Sequence, residues 1–301
     1  MGNALYFLWF HSASVRSSVV MSYSQTLEVP GCQVIRFLGS GARSTIWQVR
    51  DRRTHEVYAL KRVVKRHASD MRFLEQAVNE YEIGLQFDHP VIRRVHDIRK
   101  VKRWLSLREI HLRMELCMGK TVQESRPRSV AEAVRIFVEV AGALAHINGK
   151  GFVHADTKPN NIIVSPEGRV KLIDFGQSCP VGTVKTRIQG TPDFIAPEQV
   201  RRRPVDGRTD VFNFGASLYW TLTARPIPTV LPREGSLTLS NGQRIVPPEQ
   251  LNDRVPEPLG KLITDCVQLA PAERPRSMNE VASRLGLLLR RLAGGGDGGG
   301  S

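Results

Sequence analysis

Two short stretches hold the residue types that chemistry on a phosphate would need. The first runs Phe152-Val153-His154-Ala155-Asp156-Thr157-Lys158-Pro159-Asn160-Asn161, and the second runs Lys171-Leu172-Ile173-Asp174-Phe175-Gly176. Asp156 and Asp174 lie eighteen positions apart. Two carboxylates, an amide and a lysine on adjacent loops suit metal-assisted phosphoryl transfer. Asp156 would accept or steer the proton of an attacking hydroxyl. Asp174 and Asn161 offer hard oxygens to Mg²⁺, and Lys158 would neutralise charge on the group in flight. An Asp-Phe-Gly turn alone says little. Placed at this interval after His-x-Asp-x-Lys-x-x-Asn, it says a great deal.

Upstream, Leu38-Gly39-Ser40-Gly41-Ala42-Arg43-Ser44-Thr45-Ile46 sits between two β-rich runs. Glycines there let backbone N–H groups approach a phosphate. A Gly-rich hairpin turn would explain the pair equally well. A dinucleotide fingerprint is excluded, because no helix opens directly after the glycines. Tyr58-Ala59-Leu60-Lys61 ends a strand on a lysine. Glu80, on the helix that follows, is the expected carboxylate partner that holds Lys61 against the α- and β-phosphates. Glu75 and Glu82 are alternatives on the same helix, and the distance from Glu80 to His89-Pro90 favours Glu80.

The elements that must position these groups are legible from periodicity. Val34–Leu38, Thr45–Val49 and Glu56–Leu60 read as a strand meander, and strands follow near Val95–Val101 and Ile110–Leu116. Apolar residues at helical intervals over Phe73–Phe87 predict a helix stopped by His89-Pro90. Val130–Ile147 is a strongly amphipathic helix closed by Asn148-Gly149. Thr209–Thr223, Pro258–Leu269 and Asn279–Leu292 complete the helical set. A small β-rich half thus precedes a larger helical half, joined near Cys117–Lys120.

With these pieces in order, the chain resembles the eukaryotic-type protein kinase family, serine/threonine branch. Ala196-Pro197-Glu198, Asp210 with Gly215, and Glu273-Arg274-Pro275 add to the resemblance, and Glu198 and Arg274 are expected to form an ion pair inside the helical half. The resemblance implies an α+β, bilobal fold: a kinase domain over 31–292, with an N-lobe at 31–116, a hinge at 115–120 and a C-lobe at 120–292. It implies ATP and Mg²⁺ (or Mn²⁺) as cofactors, and a protein substrate with a Ser or Thr acceptor. The nucleotide would be bound by Leu38, Gly39, Ser40, Gly41, Ala42, Ser44, Ile46, Ala59, Lys61, Met114, Glu115 and Cys117, with Met114-Glu115-Leu116-Cys117 as the adenine hinge. Lys61, Glu80, Asp156 and Lys158 would serve catalysis, and Asn161 and Asp174 the metal. Lys158 and Gly190-Thr191 indicate the serine/threonine branch, and the His-Ala-Asp loop is reminiscent of bacterial members.

Three positions depart from the family pattern: Ser44 stands for the third glycine, Phe194 for a frequent tyrosine, and Ala155 for the arginine before the catalytic aspartate. With Ala155 there, activation-segment phosphorylation at Ser178, Thr183 or Thr186 is not expected to be required. The retention of Lys61, Asp156, Asn161 and Asp174 weighs against an inactive pseudokinase binding module. The Gly190–Glu198 segment weighs against a small-molecule phosphotransferase of the same fold.

Composition bounds the rest. The 301 residues are 41% hydrophobic and 24% charged, and the formal net charge is +14. Such a basic chain calls for an acidic partner, whether nucleotide, lipid, protein or nucleic acid. No zinc-finger, RNA-binding or helix-turn-helix pattern accompanies the charge, so no specific nucleic acid is expected. Four scattered cysteines, without C-x-x-C, suit reduced thiols of a cytoplasmic protein. No apolar run reaches the ~18 residues of a membrane span. Residues 1–30 read as a poorly ordered extension, with Met21 as an alternative start, and Tyr6 argues against myristoylation of Gly2. Residues 293–301 read as a flexible Gly-rich tail.

Overall fold

Alternation of buried and exposed side chains builds the first part of the chain into antiparallel strands. The computed structural model describes residues 27–41, 43–228 and 245–294. Ala42, residues 1–26 of the expected extension and 295–301 of the expected tail lie outside the described residues. Strands β1 (Cys32–Gly41), β2 (Ser44–Asp51) and β3 (Val57–Val64) precede helix α1 (Met71–Gly84), and β4 (Val95–Arg103) and β5 (Ser106–Glu115) follow it. The sheet order is β1-β2-β3-β5-β4.

The sheet register decides what each face carries. Ile46 lies opposite Lys61 and Lys61 opposite Leu112, while Ala59 lies between Gln48 and Met114. These rows are two residues apart, so Ile46, Ala59, Lys61 and Met114 share one face. The other face carries Trp47, Val49 and Leu60, which pack with Cys32, and Phe37 meets the Trp47 ring edge-on at 5.1 Å. Between Phe37 and Gly39 the pairing shifts by one residue, leaving Leu38 as a bulge at the entry to the glycine turn.

The rest is mainly helical: β6 (Lys120–Thr121), α2 (Val130–Gly149), β7 (Phe152–Val153), β8 (Ile162–Val164), β9 (Val170–Leu172), β10 (Cys179–Pro180), α3 (Pro197–Val200), α4 (Gly207–Thr223), α5 (Pro248–Leu251), α6 (Glu257–Cys266) and α7 (Met278–Gly294). Ser129 caps α2 by accepting a bond from the Glu132 N–H, 3.1 Å. The apolar stripe of α2, including Val134, Phe137, Ala141 and Leu144, lies in the core with Phe212 and Phe214 of α4. Gly215 is required by packing: a Cβ there would lie 2.5 Å from Cys266 Cβ on α6. Short strands frame the functional loops, in a β6-β8-β9 sheet and a β10-β7 pair.

The described residues divide into two compact units, one holding those from 27 to 74 with 98–116, the other holding 75–97 and those from 117 to 294. The first is the β-sheet unit; the second is larger and mainly helical. Several expected boundaries move: β3 runs on to Val64 past the expected Leu60, and α6 stops at Cys266 before the expected Leu269. Helix α1 ends at Gly84, before His89-Pro90, and beyond it the N–H groups of Gln86 and Phe87 bond the carbonyls of Ile83 and Gly84, three residues back, the tighter pattern that closes a helix. Strand β5 begins at Ser106 and not at Ile110, since Glu109 is held across the sheet by Arg62 through two 2.8 Å bonds. Among the described residues, no helix is long and apolar enough to cross a membrane.

Candidate active site

The loop between β7 and β8 is buried at every residue from Val153 to Asn161 except Lys158 and Asn160. Buried backbone must find partners, and α4 supplies them. Asp210 accepts from the N–H groups of His154 and Ala155, each at 2.9 Å, and from Asn148 Nδ2 at 2.8 Å. Ser217 Oγ donates to the Thr157 carbonyl at 3.0 Å. Gln199, on α3, donates to the Ala155 carbonyl at 2.8 Å. Helices α3 and α4 thus hold this loop from beneath. Ala155 itself adopts a left-handed φ of 62° and packs in a small apolar cluster with Val153, Cys179 and Val205.

On this support Lys158 Nζ stands 2.8 Å from Asp156 Oδ2 and 2.8 Å from Thr191 Oγ1. Thr191 Oγ1 is also 3.4 Å from Asp156 Oδ1. Burial pushes the Asp156 carboxyl up from its ordinary range, and the Lys158 ammonium works against that rise. Burial likewise holds His154 below the usual histidine range. Its ring meets that of Phe175 edge-on at 5.4 Å.

Asn161 Nδ2 donates to the Asp156 carbonyl at 2.8 Å, so the amide nitrogen is committed and Oδ1 is the atom left for a cation. The Asn161 carbonyl accepts from the Ile173 N–H at 2.9 Å, which ties this loop to the one carrying Asp174. Asp174 has φ 69° and accepts from the Gly176 N–H at 3.2 Å. Among the described residues, no cluster of three or more His, Cys, Asp or Glu could hold a metal alone. One carboxylate and one amide oxygen fit Mg²⁺ that arrives with phosphate oxygens and keeps some of its waters.

Helix α1 is fastened to the same loop from above. Asn79 Nδ2 reaches the carbonyls of Phe175, Gly176 and Ser178, the last at 2.9 Å. Glu80 is fully buried, whereas Glu75 and Glu82 are exposed. Glu80 forms an ion pair with the buried Arg93 guanidinium, and the Arg93 N–H donates to the Leu172 carbonyl at 3.0 Å. Arg93 therefore links Glu80 to the strand that leads into Asp174. Asn79, Arg93 and Gln199 went unnoticed in the sequence. Their roles depend on contacts up to 99 residues away, and no local spacing signals them.

In the first unit, Ile46, Ala59, Lys61 and Met114 share the sheet face described above, with Met114 fully buried. Ser40 and Gly41 are exposed and Gly39 and Ser44 half-buried. A Cβ at Gly39 would meet nothing within 4 Å, while one at Gly41 would lie 3.0 Å from Ser44 Oγ. Space is thus left at Gly39 for something that approaches its backbone. Leu38 is exposed, and Glu115 and Cys117 are half-buried at the passage from the first unit to the second.

The segment after Asp174 is held by backbone pairing and by a buried ion pair. Cys179 and Pro180 pair with Val153 and Phe152, and the Gly182 N–H donates to the Val205 carbonyl at 2.8 Å. Ser178 is buried and donates to the His154 carbonyl, which corrects its place among the candidate phosphoacceptors. Glu198 and Arg274 meet in a two-pronged pair, 2.8 and 2.9 Å. Arg274 also donates to the carbonyls of Gln268, Arg208 and Leu269. Burial alone would raise the Glu198 carboxyl, but the bonds from Arg274 outweigh it and hold the group below its ordinary range.

A five-stranded antiparallel unit with a lysine on its third strand, and a helical unit presenting Asp156, Lys158, Asn161 and Asp174 on two joined loops, define the protein kinase class of fold. The family model for the protein kinase domain matches residues 32–284, and the chain belongs to that family. A probable serine/threonine-protein kinase of Corynebacterium efficiens is 30% identical over 276 residues, covering 84% of this chain and 40% of that protein. The serine/threonine-protein kinase PknA of Mycobacterium tuberculosis is 29% identical, covering 80% of this chain and 57% of its own length. PkaA of Streptomyces coelicolor, also a serine/threonine-protein kinase, is 30% identical, with coverages of 80% and 47%. The chain thus spans about half the length of the curated relatives it matches.

Proposed function

We propose that the chain transfers the γ-phosphate of ATP to serine or threonine hydroxyls of a protein substrate. The observation that carries this reading is the Asp156–Lys158–Thr191 triangle, with Lys158 Nζ 2.8 Å from both partners. Asp156 orients the acceptor hydroxyl and takes its proton, and Lys158 offsets charge on the transferred group. Asp174 and Asn161 hold Mg²⁺, or Mn²⁺ in its place. A metal held there would supply positive charge against the phosphates. Lys61, steadied by Glu80, neutralises the α- and β-phosphates, and backbone groups of residues 38–44 enclose them. Ile46, Ala59, Met114, Glu115 and Cys117 receive the adenine ring. The kinase domain runs from residue 31 to 292, with the join at 115–120. ATP supply suits a cytoplasmic location, and no nucleic acid enters this reading.

The test is incubation with γ-labelled ATP, Mg²⁺ and generic acceptor proteins, followed by phosphoamino-acid analysis. Phosphoserine or phosphothreonine is expected. Phosphotyrosine as the main product overturns the subclass, and label found on small molecules alone overturns the protein substrate. Nucleotide binding without transfer leaves only a binding module.

A further inference from the structure

The net charge of +14 is not absorbed by the phosphotransfer residues, and part of it is gathered in one place. Strand β4 is an edge strand of the sheet, and Arg99, Lys100, Lys102 and Arg103 on it are all exposed. The turn that follows displays Trp104 at 92% and Leu105 at 99% exposure. Trp104 has a left-handed φ of 57°, a conformation that large side chains adopt rarely. With Leu105 it forms the two-residue turn of the hairpin, and its exposure places the indole away from the sheet. Glu109, the acid nearest the start of β5, is already engaged by Arg62 through both carboxylate oxygens. It does little to offset the charge along β4.

Lysines and arginines on an edge strand have an ordinary use, since they discourage pairing with another chain. That use accounts for the charges but not for a bare Trp-Leu pair beside them. Nucleic acid would account for the charges and could stack on the indole, yet it offers a leucine nothing. An exposed hairpin tip with an indole, an aliphatic side chain and flanking cations has use for both kinds of group at one surface. It matches the interface of an anionic bilayer, where Leu enters the acyl boundary, Trp sits at headgroup level and cations face lipid phosphates.

We propose that the β4–β5 hairpin tip docks the protein peripherally on anionic membranes, with Trp104 and Leu105 inserted and Arg99, Lys100, Lys102 and Arg103 on the headgroups. The proposal is independent of the phosphotransfer reading, because none of these residues belongs to the nucleotide or acceptor machinery. Each basic side chain near an anionic surface strengthens partition by roughly five-fold. Salt weakens that attraction, as it does any contact between exposed charges.

The test is co-sedimentation of the full chain with phosphatidylcholine vesicles and with mixed phosphatidylcholine–phosphatidylglycerol vesicles. Binding to the mixed vesicles alone is expected, with a blue shift of tryptophan emission. Trp104→Ser with Leu105→Ser should abolish the shift, although the chain's other three tryptophans remain, and should weaken binding ten-fold or more. Replacing the four basic residues by glutamine should weaken it at least as much. Both variants should retain the wild-type circular dichroism spectrum and phosphotransfer rate. The proposal is overturned if wild type does not sediment with anionic vesicles, or binds neutral ones equally. It is also overturned if the tip variant binds undiminished, or if an oligonucleotide is retained where vesicles are not.

Discussion

The catalytic loop and the glycine hairpin both handle phosphate in the proposed reaction, yet they are built in opposite ways. The loop from His154 to Asn161 is buried except at Lys158 and Asn160, and Asp210, Gln199 and Ser217 hold its backbone at His154, Ala155 and Thr157. The hairpin around Gly39–Ser44 is largely open, and a side chain added at Gly39 would touch nothing. Groups that exchange protons with reacting atoms must be placed to within a fraction of an ångström. Backbone that merely wraps a ligand can close on it after it binds, and regions with few buried contacts are the ones free to do so.

The comparison is broken most severely at its rigid end. Asp156→Asn should cut the rate by about 10²–10⁴, and Asp174→Asn should abolish Mg·ATP turnover. Both should keep the wild-type circular dichroism spectrum, because volume is unchanged. Wild-type activity in either variant would separate these loops from the chemistry. Next comes Arg274→Met, which strands Glu198 and three carbonyls and should cost about 3–5 kcal/mol in urea unfolding. The same pair predicts a pH dependence. The Glu198 carboxyl is held low in the folded state, so its stabilisation is present above the ordinary glutamate range and is lost as pH falls through the depressed value. In Glu198→Gln that portion of acid sensitivity should disappear. Asp210→Ala should lose about 1–3 kcal/mol for each donor left unsatisfied, with kcat falling more than KM. If kcat were unchanged, the rigidity of the loop would have no bearing on rate.

At the open end the effects shrink. Gly39→Ala should raise KM for ATP with kcat held, the signature of lost uniform binding, and should leave stability within about 0.5 kcal/mol. Smallest of all should be Thr183→Ala with Thr186→Ala. Ala155 offers a phosphate neither charge nor donor, and the segment is already paired to β7 and Val205. Rates near wild type are expected on an exogenous substrate. A ten-fold loss (about 1.4 kcal/mol) that rephosphorylation restores in phosphatase-treated wild type would reverse this reading.

The same contrast separates the groups that are legible in the sequence from those that are not. Asp156, Lys158, Asn161 and Asp174 were legible because their spacing is local and their residue types are demanding. The helices α2, α4 and α7 were legible because a buried stripe repeats at helical intervals, and only their ends shifted, by two residues or fewer. The strand β5 was foreshortened because Arg108 and Glu109 look like loop residues until Arg62 is seen opposite Glu109. Asn79 and Gln199 were invisible for a related reason: each side chain serves a carbonyl that lies far along the chain. Ser178 was misjudged as an accessible hydroxyl because burial of a short loop is decided by what folds over it.

The pairing of Glu198 with Arg274 spans 76 residues, and that span has a temporal meaning. A ribosome adding about 5–20 residues per second needs roughly 4–15 s to pass from one partner to the other. Throughout that interval the nascent chain already contains Asp156, Asp174 and Thr191, but not the guanidinium that neutralises Glu198. The late arginine thus serves as a completion mark: an interrupted translation product carries Asp156 and Asp174 without the ion pair that fastens α3, whose Gln199 holds the Ala155 carbonyl.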